Sequence, residues 1–299
     1  MRGFVFTILS MVMVLSMLFI LQISADTPYM DAITSQSAAD ALSYTFEDIC
    51  DSFSKMMNVS VDVSYTGIVF SGQLPLPTSD MYGGADLTTR LNGFEQFIRE
   101  YYLPVNYQLA FVSSEGNNIT LSQSDNSFYV DPLDVWLQFS PNGREEIYAY
   151  TRRANISQIS CINLNISLKN ATLLLNDTGW LKLSSCTPQT TYCVNASVFV
   201  LDNSSTWAAT NERIDLEKLS KIRASCGSAC FVEMVLGSAN TMETTQILKV
   251  STHYPTINYQ IGFCLNTTND FRVVSRNKMR ITDVRHNISR TDFLFLEGS

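Results

Sequence analysis

From Phe4 to Leu21 the chain reads FVFTILSMVMVLSMLFIL, eighteen residues without a charge and with only Thr7, Ser10 and Ser16 even mildly polar. At 1.5 Å rise per residue such a helix is roughly 27 Å long, enough to cross a bilayer with its interfacial flanks. Further on, Leu42, Phe46, Ile49, Phe53 and Met56 recur at helical spacing, which predicts a helix over residues 29–57 with one apolar seam. Asp31, Asp40, Glu47, Asp48 and Asp51 make that helix acidic. Thr27-Pro28 stands between the two segments as a kink or a helix start. Together they form a nearly continuous rod from Phe4 to Met57.

Beyond the rod the hydrophobic period falls to two. Val59, Val61, Val63 and Tyr65 alternate with Ser60, Asp62, Ser64 and Thr66, the pattern of a half-buried strand. A loop carrying Pro75, Pro77 and Gly83-Gly84 leads to one more predicted helix over 86–102, with Leu87, Leu91, Phe94, Ile98 and Tyr101 on one face and Gly93 inside it. The remainder reads as strands. Val135, Leu137 and Phe139 run into Ser140-Pro141-Asn142-Gly143 and then Ile147 to Tyr150, a hairpin. Clean alternation recurs at Ile162–Leu168, at Val194–Val200 and at Ile257–Leu265.

These elements define an α+β, mostly β chain: an N-terminal transmembrane helix continuing into an amphipathic helix, then an antiparallel β-rich ectodomain, readable as two lobes. The expected divisions are a membrane anchor or signal segment over 1–25, a stalk helix over 26–57, a first β-rich lobe with one helix over 58–154, and a second lobe rich in Cys and glycosylation sequons over 155–299.

Composition sharpens this picture. Only 16% of the 299 residues are charged, against about 25% in average soluble proteins. The polarity comes instead from 34 Ser, 26 Thr and 21 Asn, and with 17 Phe and 13 Tyr the chain can bury a core rather than stay disordered. A net charge of −8 argues against nucleic acid as a partner. Near the apolar run the only basic residue is Arg2, while Asp26 and Asp31 follow it, so the positive-inside rule puts the N-terminus in the cytoplasm and the remainder outside. Three fates are open for the segment: retention as a single-pass anchor through Phe4–Leu21, cleavage after Ala25 that leaves Asp26 first, or processing after Gly3 that leaves Phe4 first.

Sequons support the exported address. Asn-Xaa-Ser/Thr occurs at Asn58, Asn118, Asn155, Asn165, Asn170, Asn176, Asn195, Asn203, Asn266 and Asn287, all after the apolar run. Chance would give about four from this composition, so ten is an excess, and glycans there would supply the missing solubility. Of seven cysteines, Cys161, Cys186, Cys193, Cys226, Cys230 and Cys264 are candidates for three disulfides, with connectivity open among 15 arrangements. The spacing of Cys226-Gly-Ser-Ala-Cys230 is not that of a zinc ribbon. Cys50 is left over, either a buried thiol or a bridge between two copies.

Between Phe271 and Arg290 six basic residues meet one acid, Asp283, and Arg276, Lys278 and Arg280 share one strand face. This face is either solvated or a complement to the acidic helix. No nucleophile elbow, zincin helix, phosphate loop or dinucleotide fingerprint is present, so no catalytic, cofactor or metal residue is expected and the chain reads as a non-enzyme. The nearest candidates are Asp131, Asp134, Glu145 and Glu146, which flank the hairpin and would be paired carboxylates in a hydrolase, and Tyr101, Tyr102 and Trp136, which would line a ligand groove.

Met1-Arg2-Gly3-Phe4 followed by a hydrophobic helix resembles the start of archaeal type IV pilin-like proteins. The resemblance covers the first 60 residues or so. It implies cutting after Gly3, a retained helix starting at Phe4, and an amphipathic second half carrying a β-rich head. Position 8 is Ile8, where bacterial pilins carry a Glu. The expectation is therefore a membrane-anchored, extracytoplasmic structural or adhesive glycoprotein, pilin-like or part of a cell envelope, partnered by the membrane and by other copies or envelope proteins. The other readings are a receptor-like binding module on a permanent single-pass anchor and a secreted hydrolase.

Overall fold

The computed structural model describes residues 2–64, 66–74, 87–113, 115–121, 127–131, 134–139, 146–173, 181–187, 192–204, 207–227, 230–238, 244–253, 255–266 and 271–295. Helix α1, Arg2–Met57, runs unbroken past Thr27-Pro28, so the helix start allowed there does not occur. Its side chains are described over 13–17 and 34–57. Among the described residues no helix is long and apolar enough to cross a membrane. Outside 13–17, the expected membrane segment Phe4–Leu21 lies beyond the described side chains, as do Gly3, Ala25 and Asp26.

The C-terminal half of α1 obeys its seam. Leu42, Phe46, Ile49, Cys50, Phe53 and Met56 are all buried. Asn58 ends the helix in the left-handed conformation (φ 51°), which Asn tolerates better than most residues, and its N–H donates to Lys55 O at 3.2 Å. The second helix, α2, Leu87–Phe97, continues into a π turn at Ile98–Tyr102. Phe94 packs on Phe53 with ring centroids 5.9 Å apart, and Arg90 donates to the carbonyl of Met56 at 2.5 Å, satisfying a carbonyl of the last α1 turn that has no helical partner.

In chain order the strands begin with β1 Val59–Ser64, β2 Gly67–Leu74, β3 Tyr107–Val112, β4 Asn118–Ile119, β5 Ser127–Asp131 and β6 Val135–Phe139. Next come β7 Glu146–Arg152, β8 Ile159–Lys169, β9 Leu181–Lys182, β10 Cys193–Leu201, β11 Trp207–Asp215 and β12 Ser220–Ser225. The last are β13 Phe231–Leu236, β14 Thr244–His253, β15 Thr256–Leu265, β16 Arg272–Asp283 and β17 Ile288–Phe295. A six-stranded sheet has the order β1-β2-β15-β8-β10-β11, and the larger sheet runs β4-β3-β16-β5-β6-β7-β14-β13-β12-β9 with β17 beside β16. The buried faces of both sheets, the second half of α1 and α2 share one continuous apolar core.

Two expectations change. The head is not purely antiparallel, because β8 and β10 run parallel, with Leu164 opposite Val198. A parallel pair needs a long crossover, and residues 170–192 provide it, leaving the small sheet to lay β9 against β12 before returning. Residue 155 is also not a boundary between sheets. Pairings cross it in both: β15 with β2 in the small sheet, β14 with β7 and β16 with β3 and β5 in the large one.

Candidate functional site

Three features emerge from this frame. The first is the free end of α1. Met13, Val14, Leu15 and Met17 are 57–70% exposed. With the exposed Ser16 among them they span more than one helical turn, so this stretch presents a largely apolar, solvent-facing surface. Farther along, Glu47, Asp48 and Asp51 of α1 are matched within the chain. Arg290 on β17 donates to Glu47 at 3.3 Å and to Ser43 O at 3.3 Å, and its guanidinium lies over the Phe46 ring. Tyr102 donates to Asp48, and Lys55 pairs with Asp51. Burial, then the Asp48 carboxylate that accepts from it, push the Tyr102 hydroxyl up to about 12. Of the basic residues between 271 and 290, Arg290 meets the acidic helix, whereas on the strand face itself Lys278 lies over Phe293 and Arg280 donates to Asn118.

The second, the set of disulfides and sequons, is spread over both sheets. Cys161–Cys264 ties β8 to β15 across 103 residues, while Cys186–Cys193 and Cys226–Cys230 close short loops. Three disulfides mark a chain that matures in an oxidising compartment. Cys50 lies outside these pairs and is 0% exposed, which closes the route to a bridge between native copies. Of the sequon asparagines, Asn58, Asn118, Asn165, Asn170, Asn195, Asn203, Asn266 and Asn287 are exposed, and Asn155 is half-buried beside Asp134. Asn176 lies outside the described residues. Asn165 and Asn195 stand on the outer face of the small sheet, as the alternation of their strands requires. An open cleft of about 610 Å³ lies where the last turn of α1 meets β1, β2 and β15, with Ser54, Asn58, Ser60, Gln73 and Asn258 among its walls.

The hairpin acids do not converge. Asp134 lies beside Arg152 at one end of β7 and Glu146 stands at the other end, roughly 20 Å away at strand rise, whereas glycosidase carboxylates sit about 5–10 Å apart. Asp131 is exposed at the end of β5, and Glu145 lies outside the described residues. Among the described residues no group of three or more His, Cys, Asp or Glu side chains is placed to hold a metal ion.

The third feature was not anticipated as a unit. Trp136 does not line a groove with Tyr101 and Tyr102, which stay on the π turn. It stands on the outer face of the large sheet between Tyr129 and Tyr150, with centroids 5.4 and 5.8 Å away and ring planes within 16° and 26°. Tyr148 continues the row from Tyr150 at 6.0 Å and 10°. The signal was available: Trp136, Tyr148 and Tyr150 fill the polar-face positions between buried Val135, Leu137, Ile147 and Ala149. Glu146 closes one end of the row, accepting from Tyr148 at 2.5 Å and pairing with Lys249 at 2.7 Å. Partial burial raises the Glu146 carboxyl, but the hydrogen bonds and charge of Lys249 and Tyr148 outweigh it and leave the group below its ordinary value. Burial and the neighbouring Glu146 raise Tyr148.

No protein family, curated protein or solved structure matches this chain.

Proposed function

We propose that this protein is an N-terminally anchored, extracytoplasmic structural or adhesive subunit, pilin-like or part of a cell envelope, bearing N-glycans on its β-rich head. The observation that carries the reading is the division of α1: one unbroken helix whose second half is built into the head while the apolar residues at 13–17 project bare from it. An apolar helix surface of this kind needs lipid around it or the same helices of other copies. Disulfides and exposed sequons agree with a head outside the cell.

Edman sequencing and intact mass of the native protein, taken from the membrane fraction and from any sheared filaments, test this reading. The expected first residue is Phe4, with filaments recovered. A start at Met1 with no filament would replace the pilin-like form by a permanent anchor bearing a binding module, the second reading, which the aromatic row favours. A start at Asp26 would overturn both.

A further inference from the structure

The aromatic row plays no part in anchoring, and its chemistry is the same however the chain is held. Tyr129, Trp136 and Tyr150 occupy directly opposed positions on three adjacent strands, and Tyr148 lies two residues along β7. All four rings are half-buried on the outer sheet face, neither sunk in the core nor free in solvent. Val274 on β16 lies opposite Tyr129 at one end of the row, whereas the neighbours of Tyr150 and Tyr148 are polar. Gln246 lies opposite Tyr150, while Gln138 and Lys249 lie opposite Tyr148 on its two sides.

We propose that this strip is a saccharide-binding site. A pyranose ring offers a patch of C–H groups on one face and a rim of hydroxyls, so it needs an aromatic surface with hydrogen-bonding groups beside it. The carboxamides of Gln138 and Gln246 each supply donors and an acceptor. The Glu146–Lys249 pair adds a carboxylate and an ammonium, with side chains 32% and 26% exposed and hence within reach of a ligand. A protein partner would require about 800 Å² on each side around a broad apolar centre, which a row of four rings, bordered by amides and an ion pair at one end, does not provide. Bases also stack on aromatic rings, but nucleic-acid grooves are strongly basic, and this chain carries a net charge of −8 and an acid at the end of the row.

Native affinity electrophoresis of the full chain in detergent, in gels containing mannan, xylan or hydroxyethyl cellulose, tests the proposal, with a change in tryptophan fluorescence that Trp136→Phe removes as a second readout. Retardation by at least one of these polysaccharides is expected. Trp136→Ala and Tyr150→Ala should each weaken it about tenfold, equivalent to about 1.4 kcal/mol, while Trp136→Phe keeps most of the affinity. Because an alanine in the row can loosen the sheet, Gln246→Ala provides a second arm: it leaves the rings in place and should weaken binding with an unchanged thermal midpoint. Absence of retardation in all three gels would overturn the proposal. So would retardation that none of these substitutions alters, or a ring-dependent self-association seen by sedimentation in place of sugar binding.

Discussion

Gly72 lies opposite Tyr259 in the β2–β15 pair, and the tyrosine ring occupies the space a side chain would need. A Cβ at Gly72 would stand 2.5 Å from Tyr259 Oη, 2.8 Å from its Cζ and 3.0 Å from the carbonyl oxygen of Asn58. Gly72→Ala is expected to cost about 1–3 kcal/mol, the usual range for overpacking, measured by urea unfolding. Tyr259 Oη is also buried with no hydrogen-bond partner among the described residues, and burial raises its pKa. Tyr259→Phe should therefore be neutral or stabilising by about 1 kcal/mol, and should soften the effect of Gly72→Ala. The inward direction of Tyr259 was legible from the alternation of Ile257, Ile261 and Phe263. Its need for glycine was not, because the cross-strand partner depends on register, which one strand's pattern does not contain. The sequon count hides a similar ambiguity. Asn58, Asn170 and Asn287 are three of the four non-glycine residues with positive φ among the described ones. Asparagine is favoured there for its backbone alone, so part of the sequon excess has a conformational cause besides glycosylation.

At the scale of elements, the turn between β16 and β17 hangs on one carboxylate. Asp283, 2% exposed, accepts from Asn106 Nδ2 at 3.0 Å, from the backbone N–H groups of Arg285 and His286, and contacts His286 Nδ1 at 2.7 Å. Burial raises the Asp283 carboxyl, but these bonds outweigh it and hold the group below the usual value. A depressed native pKa stabilises the fold at pH above the unfolded value of about 3.9, and this contribution disappears as pH falls through the native one. Asp283→Asn should lower stability at pH 7 and flatten the acid limb of a plot of unfolding midpoint against pH. The disulfides differ in weight for a related reason of chain connectivity. Loop-closure entropy assigns about 4–5 kcal/mol to Cys161–Cys264 and about 2 kcal/mol to the four-residue Cys226–Cys230 loop. Replacing each pair by serines should reproduce that order in urea midpoints. The strands themselves were legible from period-two alternation, yet that period is identical in either direction, so the parallel β8–β10 pair was invisible until its neighbours were known.

At the scale of the whole molecule, the rod followed by strands was legible because both hydrophobic periods are strong. The aromatic strip was not, since it exists only where β5, β6 and β7 are brought side by side. The described core contribution of α1 begins at Ala38. A chain lacking residues 4–21 should therefore unfold at the same temperature as the full chain while moving from the detergent-extracted to the aqueous fraction, a difference readable by calorimetry and sedimentation. The position of α1 also governs how the head would answer a mechanical load. A pull on the projecting end travels down the helix axis into Leu42, Phe46, Ile49, Phe53 and Met56, five buried side chains spread over about four turns. These contacts, the Arg290–Glu47 ion pair and the Arg90 bond to Met56 O are loaded together in shear, not peeled one after another. A load applied along α1 is thereby shared across the centre of the core rather than concentrated at its edge.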